Sequence, residues 1–561
     1  VAVPRYCSAC IILPLGIQGG GGISVLIKCK PRKAHCGRAK GLNSVSSFLL
    51  SFLCRDILKS GGTAVDAAIA ALICTSVMNP QSSGLGGGVI FTIYNASTGT
   101  VEVINARETV PRVSVLLGMT LSFCSSGPHW IAVPGEIRGY EEAHKRYGRL
   151  PWKSLFEPTI KLLSEPLVIS PVMDKIMSHK NFSEPGQSLC PLLCEGRRFL
   201  NHGETFRWPA LQRTLRAVAE NGASAFYEGP IGKALVEDLR KAESNISLED
   251  LKAYKAEVSS ALNITLNNYT VFSPGPPMGG AVLLFILKIL EGKFIREKGR
   301  QEEKVENYHL IAEALKFGNM QKPHMSDPAF SDAQVSLTLL SDKIAKLVRS
   351  QIDDRGDHPL SHYQLLESTS SHRYKTKGTT HISVLAADGS AVSATSTINY
   401  PFGSFVYSNQ TGIILNNELA DFCIANRSIK PGEHSHPQNK KQGEKPPSAM
   451  VPSILVTKTG DMLVIGGAGG SWIISATAII NKLWLGYDLE HAIAAPIMHT
   501  EGDEILFETH FSEEVRSGLL RRGHKEKKVM IAMNVVQGIS KEGKCISAYS
   551  DIRKLGKSAG Y

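Results

Sequence analysis

The most specific chemistry in this sequence sits in Gly378-Thr379-Thr380-His381, where a polar stretch meets the first strand of a hairpin. Were the Gly378–Thr379 bond cut, Thr379 would own both a hydroxyl nucleophile and a free α-amine. An α-amine titrates at about 7.7–8.0 and a lysine amine at about 10.4, so near neutrality a useful fraction of the α-amine is already unprotonated. Such a residue is its own base and needs no His or Asp partner. Glycine before the cut supplies the backbone freedom that an intramolecular N-to-O acyl shift requires. By spacing alone, the same residues also describe an ordinary strand start.

Other constellations carry less. Gly556-Lys557-Ser558-Ala559-Gly560 fits Gly-x-Ser-x-Gly, but only Tyr561 follows, so the helix that a nucleophile elbow needs is missing and the match reads as chance. No His-Glu-x-x-His occurs and the 17 histidines are scattered, so neither a metal nor a cofactor is expected. The glycines of 82–88 stand between a helix and a strand, the wrong order for a dinucleotide fingerprint, and read instead as close backbone packing.

These residues need elements to hold them. A Gly61-Gly62 break precedes a helix with one apolar face over 63–77, and a strand follows at 89–94. Helices are expected at 136–147, 211–219, 281–290, 308–317 and 333–352, and an exposed loop at 353–377. Strands at 381–386 and 390–398 are joined by a hairpin turn at Asp388-Gly389. Further strands are expected at 412–415, 453–456 and 462–465, with a long loop or lid over 426–447.

Composition bounds the class. A hydrophobic fraction of 43 % and a charged fraction of 20 % describe a globular chain and exclude disorder, collagen and coiled coil. Eight of the 62 basic residues and none of the 51 acidic ones lie in residues 1–55, so the net charge of +11 is local and no nucleic-acid partner is expected. Seven Asn-x-Ser/Thr sequons, at Asn95, Asn181, Asn245, Asn263, Asn268, Asn409 and Asn426, favour the secretory route. Cys190 and Cys194 are four apart, either a small disulfide loop or half of a metal site. The apolar run at 10–27 is broken by Pro14, Gln18 and four glycines, so no anchor is recognisable there. The chain begins with Val, residues 1–55 read as an unreliable basic segment, and order is expected from about Asp56.

Several stretches together resemble the gamma-glutamyltransferase family of N-terminal-nucleophile hydrolases: GGTAVDAAIA at 61–70, VINARE at 103–108, AVPGEIRGY at 132–140, GTTH at 378–381, SATSTIN at 393–399 and GGAGG at 466–470. Pro401-Phe402-Gly403, GIILNNE at 412–418, VPSIL at 451–455 and NKLWL at 481–485 are similar to its gamma-glutamyl leukotrienase branch. The resemblance implies an α+β fold, a four-layer αββα sandwich built by two autoprocessed subunits. These would be a large subunit of 56–378 and a small catalytic one of 379–561. It also implies that Thr379 takes the γ-glutamyl group from glutathione, its S-conjugates or leukotriene C4 as an ester. Water, an amino acid or a dipeptide would then accept the group, at the outer face of the plasma membrane or in secreted form.

By the same resemblance, Arg107 grips the donor's α-carboxylate and Ser448 adds a hydroxyl to that pocket. Glu418 and Asp421 bind the α-ammonium, with Asn399 beside them, and Thr397 bonds the hydroxyl of the nucleophile. Gly469 and Gly470 offer backbone N–H groups to the oxyanion. Cys190 and Cys194 match the short disulfide of the family, whereas a Cys54–Cys74 bond does not align. Two departures stand out: Ala449 replaces a second serine, and the helix after Gly470 is about two residues short, which would turn its apolar face by roughly 200°. The alternatives are a pseudoenzyme blocked in maturation, with a binding or structural role, and an acylase of the same fold. Against the acylase, a donor without an amino-acid head would not need Arg107, Glu418 and Asp421 together.

Overall fold

One early helix is buried on every side. Residues Ala64–Met78 are held at their start by a reciprocal cap: Asp66 N–H donates to Thr63 Oγ1 at 3.1 Å and Thr63 N–H to the Asp66 carboxylate at 2.9 Å. Ala64 to Val77 are all buried, so the one-sided face read from the sequence is corrected; this is a core helix packed on all sides. The structure is a computed structural model describing residues 42–45, 48–113, 127–179, 182, 184–291, 301–331, 334–365, 378–422, 440–469, 476–528, 535–554 and 556–560.

Among the described residues, thirteen strands make two antiparallel sheets. In chain order they are β1 (Leu42–Val45), β2 (Gly88–Asn95), β3 (Thr100–Ala106), β4 (Glu257–Ser260), β5 (Leu262–Leu266), β6 (Tyr269–Ser273), β7 (Gly378–Leu385), β8 (Ala391–Asn399), β9 (Ser453–Thr457), β10 (Met462–Ala468), β11 (Val535–Glu542), β12 (Cys545–Ser550) and β13 (Lys557–Gly560). One sheet runs β13-β1-β7-β8-β2-β3-β4, the other β12-β11-β10-β9-β6-β5. Helices α1 (Phe48–Lys59), α2 (Ala64–Met78) and α3 (Glu136–Tyr147) cover the first sheet through Phe91, Val384 and Val392. Helices α4 (Gly280–Leu290), α5 (Gln301–Met320), α6 (Thr477–Leu483) and α7 (Leu489–Ala494) cover the second through Val271, Leu455 and Leu463. Leu385, Ile454, Met462 and Val464 fill the space between the sheets, which completes the expected four layers.

The remaining differences have local causes. Order begins upstream of Asp56, because β1 pairs with β7 on one side and β13 on the other. The Gly-x-Ser-x-Gly match is that edge strand, β13. The helical block at 333–352 is two helices, Gln334–Leu339 and Asp342–Gln351, since the Ser341 side chain caps Ile344 N–H and restarts the chain. Residues 412–415 form isolated bridges, Gly86 with Leu415 and Tyr407 with Ile414, rather than a strand. The loop at 353–365 is anchored by fully buried Tyr363; 366–377 lie outside the described residues, as do 426–439 of the expected lid and sequons Asn181 and Asn426. Cys190 and Cys194 are disulfide-bonded, and Cys54 and Cys74 are buried thiols with no bridge between them.

Candidate active site

β7 and β8 pair at the centre of the seven-stranded sheet, and their register is irregular at one point. Gly378 faces Asn399, whereas Thr379 faces Thr397 and Thr380 faces Ser396, so the slip falls on the Gly378–Thr379 bond. Thr397 Oγ1 donates to the Gly378 carbonyl at 2.6 Å and accepts from Asn399 N–H at 2.8 Å. In the unbroken chain the Thr397 hydroxyl thus donates its proton to the carbonyl that precedes the expected nucleophile. A Cβ on Gly378 would stand 2.8 Å from Tyr400 O and 2.9 Å from Asn399 O, so nothing larger fits. Thr379 itself is buried. The glycines before β2 pack as the sequence implies, with Gly87 against the Thr397 carbonyl.

Arg107 follows β3 and is fully buried. Its guanidinium makes four hydrogen bonds within its own chain. Nε donates to Pro446 O at 3.0 Å and Nη2 to Pro447 O at 2.9 Å. Nη2 also pairs with Asp421 at 2.7 Å and Nη1 with Glu418. The residues expected to hold the two charged ends of a donor are therefore paired with each other. Glu418 and Asp421 lie in a short helix, Glu418–Phe422, which Asn416 fixes by accepting from Glu418 N–H at 2.9 Å and donating to Gly86 O at 2.7 Å. Asn399 ends β8 with a φ of +73°, a left-handed conformation that asparagine tolerates better than most residues. That bend aims its Nδ2 at Asp421, 3.1 Å away, and so ties the Thr379 hairpin to the Arg107 cluster. Two acceptors in the cluster, Glu418 Oε2 and Asn399 Oδ1, are buried and receive no hydrogen bond from the described residues.

Burial governs the charges. It pushes the Asp421 carboxyl up to about 6 against the pull of Arg107 and the Asn399 amide, and holds Glu418 well above the ordinary carboxylate range. Glu108, 3.8 Å from Arg107, and Glu136, at the start of α3, are each pushed to about 8 by burial. Arg107 is raised, because Glu418, Asp421 and Glu108 outweigh the desolvation that would lower it.

Ser448 is buried and near this cluster in sequence, but its Oγ accepts from Met450 N–H at 3.2 Å and no described hydrogen bond joins it to Arg107. The proline carbonyls of 446 and 447 reach the guanidinium in its stead, and Ala449 packs in the core. Gly469 directly follows β10 with a φ of +139°, a conformation that favours glycine. Gly470 and the start of the following helix lie outside the described residues; α6 buries Thr477 to Asn481. Sequence reasoning missed Asn416 and the proline carbonyls, although the Asn416-Asn417 pair and the Pro446-Pro447 pair were visible signals. Among the described residues one group has metal-ligand spacing, His309, Glu313 and His524. Lys316 already supplies a cation there, its Nζ donating to Glu313 at 3.1 Å and to His524 Nδ1 at 3.0 Å.

Two stacked antiparallel sheets between helical layers, with a threonine opening a central strand, define the N-terminal-nucleophile hydrolase class. The solved cephalosporin acylase from Bacillus halodurans shares that fold, with a TM-score of 0.81, 23 % identity, and coverage of 95 % of this chain and 98 % of its own. Residues 51–561 match the gamma-glutamyltranspeptidase family model, and the chain belongs to that family. It is 47 % identical to the glutathione hydrolase 5 proenzymes of Rattus norvegicus, over 576 residues, and Homo sapiens, over 592, covering 99 % of each chain in both cases. The protein is thus an enzyme of γ-glutamyl hydrolysis and transfer.

Proposed function

We propose that this chain cuts itself between Gly378 and Thr379 and then uses Thr379 to cleave γ-glutamyl amides. The observation that carries the reading is the Thr397 hydroxyl on the Gly378 carbonyl, at the single slip in an otherwise regular ladder. That donor polarises the bond toward attack by Thr379 Oγ. The C–N bond breaks as the C–O bond forms, and water releases the ester to leave a Gly378 carboxylate and a Thr379 amine. The chain becomes a large subunit that ends at Gly378 and a small one, 379–561.

In the mature enzyme the Thr379 amine takes the proton of its own hydroxyl, which attacks the γ-glutamyl carbonyl. The N–H groups of Gly469 and Gly470 hold the developing oxyanion, a donor of this kind being worth roughly 3–4 kcal/mol. The amine product leaves with the proton, and water, an amino acid or a dipeptide takes the acyl group from the threonine ester. A zwitterionic donor fits the Arg107 cluster by exchange. Its α-carboxylate replaces Glu418 and Asp421 on the guanidinium, with Ser448 alongside, and its α-ammonium satisfies those acids together with Glu418 Oε2 and Asn399 Oδ1. Glutathione, its S-conjugates and leukotriene C4 present this head. Exposed sequons at Asn263, Asn268 and Asn409 suit an enzyme that works outside the cell, secreted or on the plasma membrane.

Denaturing electrophoresis with N-terminal sequencing tests the reading. Two fragments are expected, the lighter starting at Thr379, with turnover of a γ-glutamyl anilide. Thr379→Ala abolishes both; an active, unbroken chain would refute the scheme.

A further inference from the structure

His381 lies two residues beyond Thr379 on β7, and strand alternation puts both side chains on the face toward the six-stranded sheet. The ring is fully buried. Its Nδ1 is 2.8 Å from Thr395 Oγ1 on β8, and its Nε2 is 3.0 Å from Ser383 Oγ, which in turn donates to Val464 O on β10 at 3.4 Å. The neutral ring has one N–H and one bare nitrogen, so one of these hydroxyls accepts from it and the other donates to it. The ring also packs closely against a glycine of the opposite sheet. A Cβ on Gly466 would stand 2.3 Å from His381 Cε1, and Gly466 lies on β10 three residues before Gly469, which follows that strand.

We propose that His381 is a positioning residue for the γ-glutamyl reaction, an imidazole strut that sets the distance between the strand bearing Thr379 and the strand that leads to Gly469. The inference rests on the reading above, in which those two positions are the nucleophile and the oxyanion donor. Neither ring nitrogen is left over for proton transfer, since both are engaged by hydroxyls within the sheets. Burial keeps the ring neutral, holding its pKa down at about 3. The glycine at 466 exists to admit the ring, and the ring exists to stop β10 from closing on β7.

Removing the ring moves the oxyanion donor relative to the nucleophile, and a misplacement of about 1 Å costs on the order of 10²-fold in rate. His381→Ala is therefore expected to slow self-cleavage and to lower kcat for a γ-glutamyl anilide by about that factor, with KM within about twofold and an unchanged pH profile. Gly466→Ala should do similar damage from the other side, and the double variant Gly466→Ala/His381→Ala should recover activity over either single one, because the new methyl enters the vacated space. His381→Gln, which keeps a polar side chain between the same hydroxyls, should retain more kcat than His381→Ala, and serves if the alanine variant fails to fold. Wild-type kcat in His381→Ala, additive losses in the double variant, or loss of a limb of the pH profile would each overturn the strut. Thr379→Ala separates the two ideas: its activity would sink the parent reading, whereas an inactive Thr379→Ala beside an unimpaired His381→Ala sinks only the strut.

Discussion

Asp421 stands where the Thr379 hairpin and the guanidinium of Arg107 meet, so its protonation is felt at both. Its carboxyl is held up at about 6 by burial, so acidification through that value removes a partner of the donor's ammonium. KM for a γ-glutamyl anilide is expected to rise as pH falls below about 6 while kcat changes little, and Asp421→Asn should show the high KM at every pH. Initial-rate measurements between pH 5 and 8 check both. Glu136 makes a different prediction. Its folded pKa, about 8, is above the ordinary 4.5, so the folded state holds the proton more tightly; its contribution is complete below 4.5 and is lost as pH rises to 8. Glu136→Gln should thus raise Tm relative to the wild type at pH 8 more than at pH 5, as thermal melts would show. The types at this site were legible in short motifs, because an arginine beside a glutamate and two acids three apart carry their charges openly. That Arg107 pairs with Glu418 and Asp421, over 300 residues away, was not, since only the folded sheet brings the end of β3 to that turn.

Elements with a strong local signal were read well. The bounds of α3 and the hairpin of β7 and β8 follow from periodicity and from Asp388-Gly389, whose glycine has a φ of +87°. Where tertiary contacts decide, the sequence was silent: 412–415 looks like a strand but crosses the sheet by single bridges, and α2 lost its polar side to packing. The slip between Gly378 and Thr379 belongs to this scale too. Gly378→Ala would force a methyl against two carbonyls, so its self-cleavage is expected to slow strongly while the fold persists, as a time course of the two fragments on a gel would reveal. A second element-level tie lies far from the site. Lys316 on α5 is buried with Glu313 and reaches the His524 ring beyond the helix Glu513–Arg521. Lys316→Met leaves that glutamate uncompensated and should cost about 3–5 kcal/mol in a denaturant melt.

The proposed cut at Gly378 divides the strands unevenly between the pieces. β7 and β8 would belong to the small subunit, yet in the sheet they lie between β1 and β2 of the large one; β5 and β6 of the large subunit extend the sheet that β9 to β12 of the small one begin. Neither piece owns a complete sheet. The segment 379–561 expressed alone is therefore expected to be insoluble or unfolded by circular dichroism, and to fold when co-expressed with the preceding segment. The interleaving also decides what the break can do mechanically. The new terminus at Thr379 would head a strand that β8 already pairs along its whole length, and the two pieces share both sheets, so the halves have no route apart short of melting. Maturation then alters the bond count of the molecule and leaves its two sheets whole.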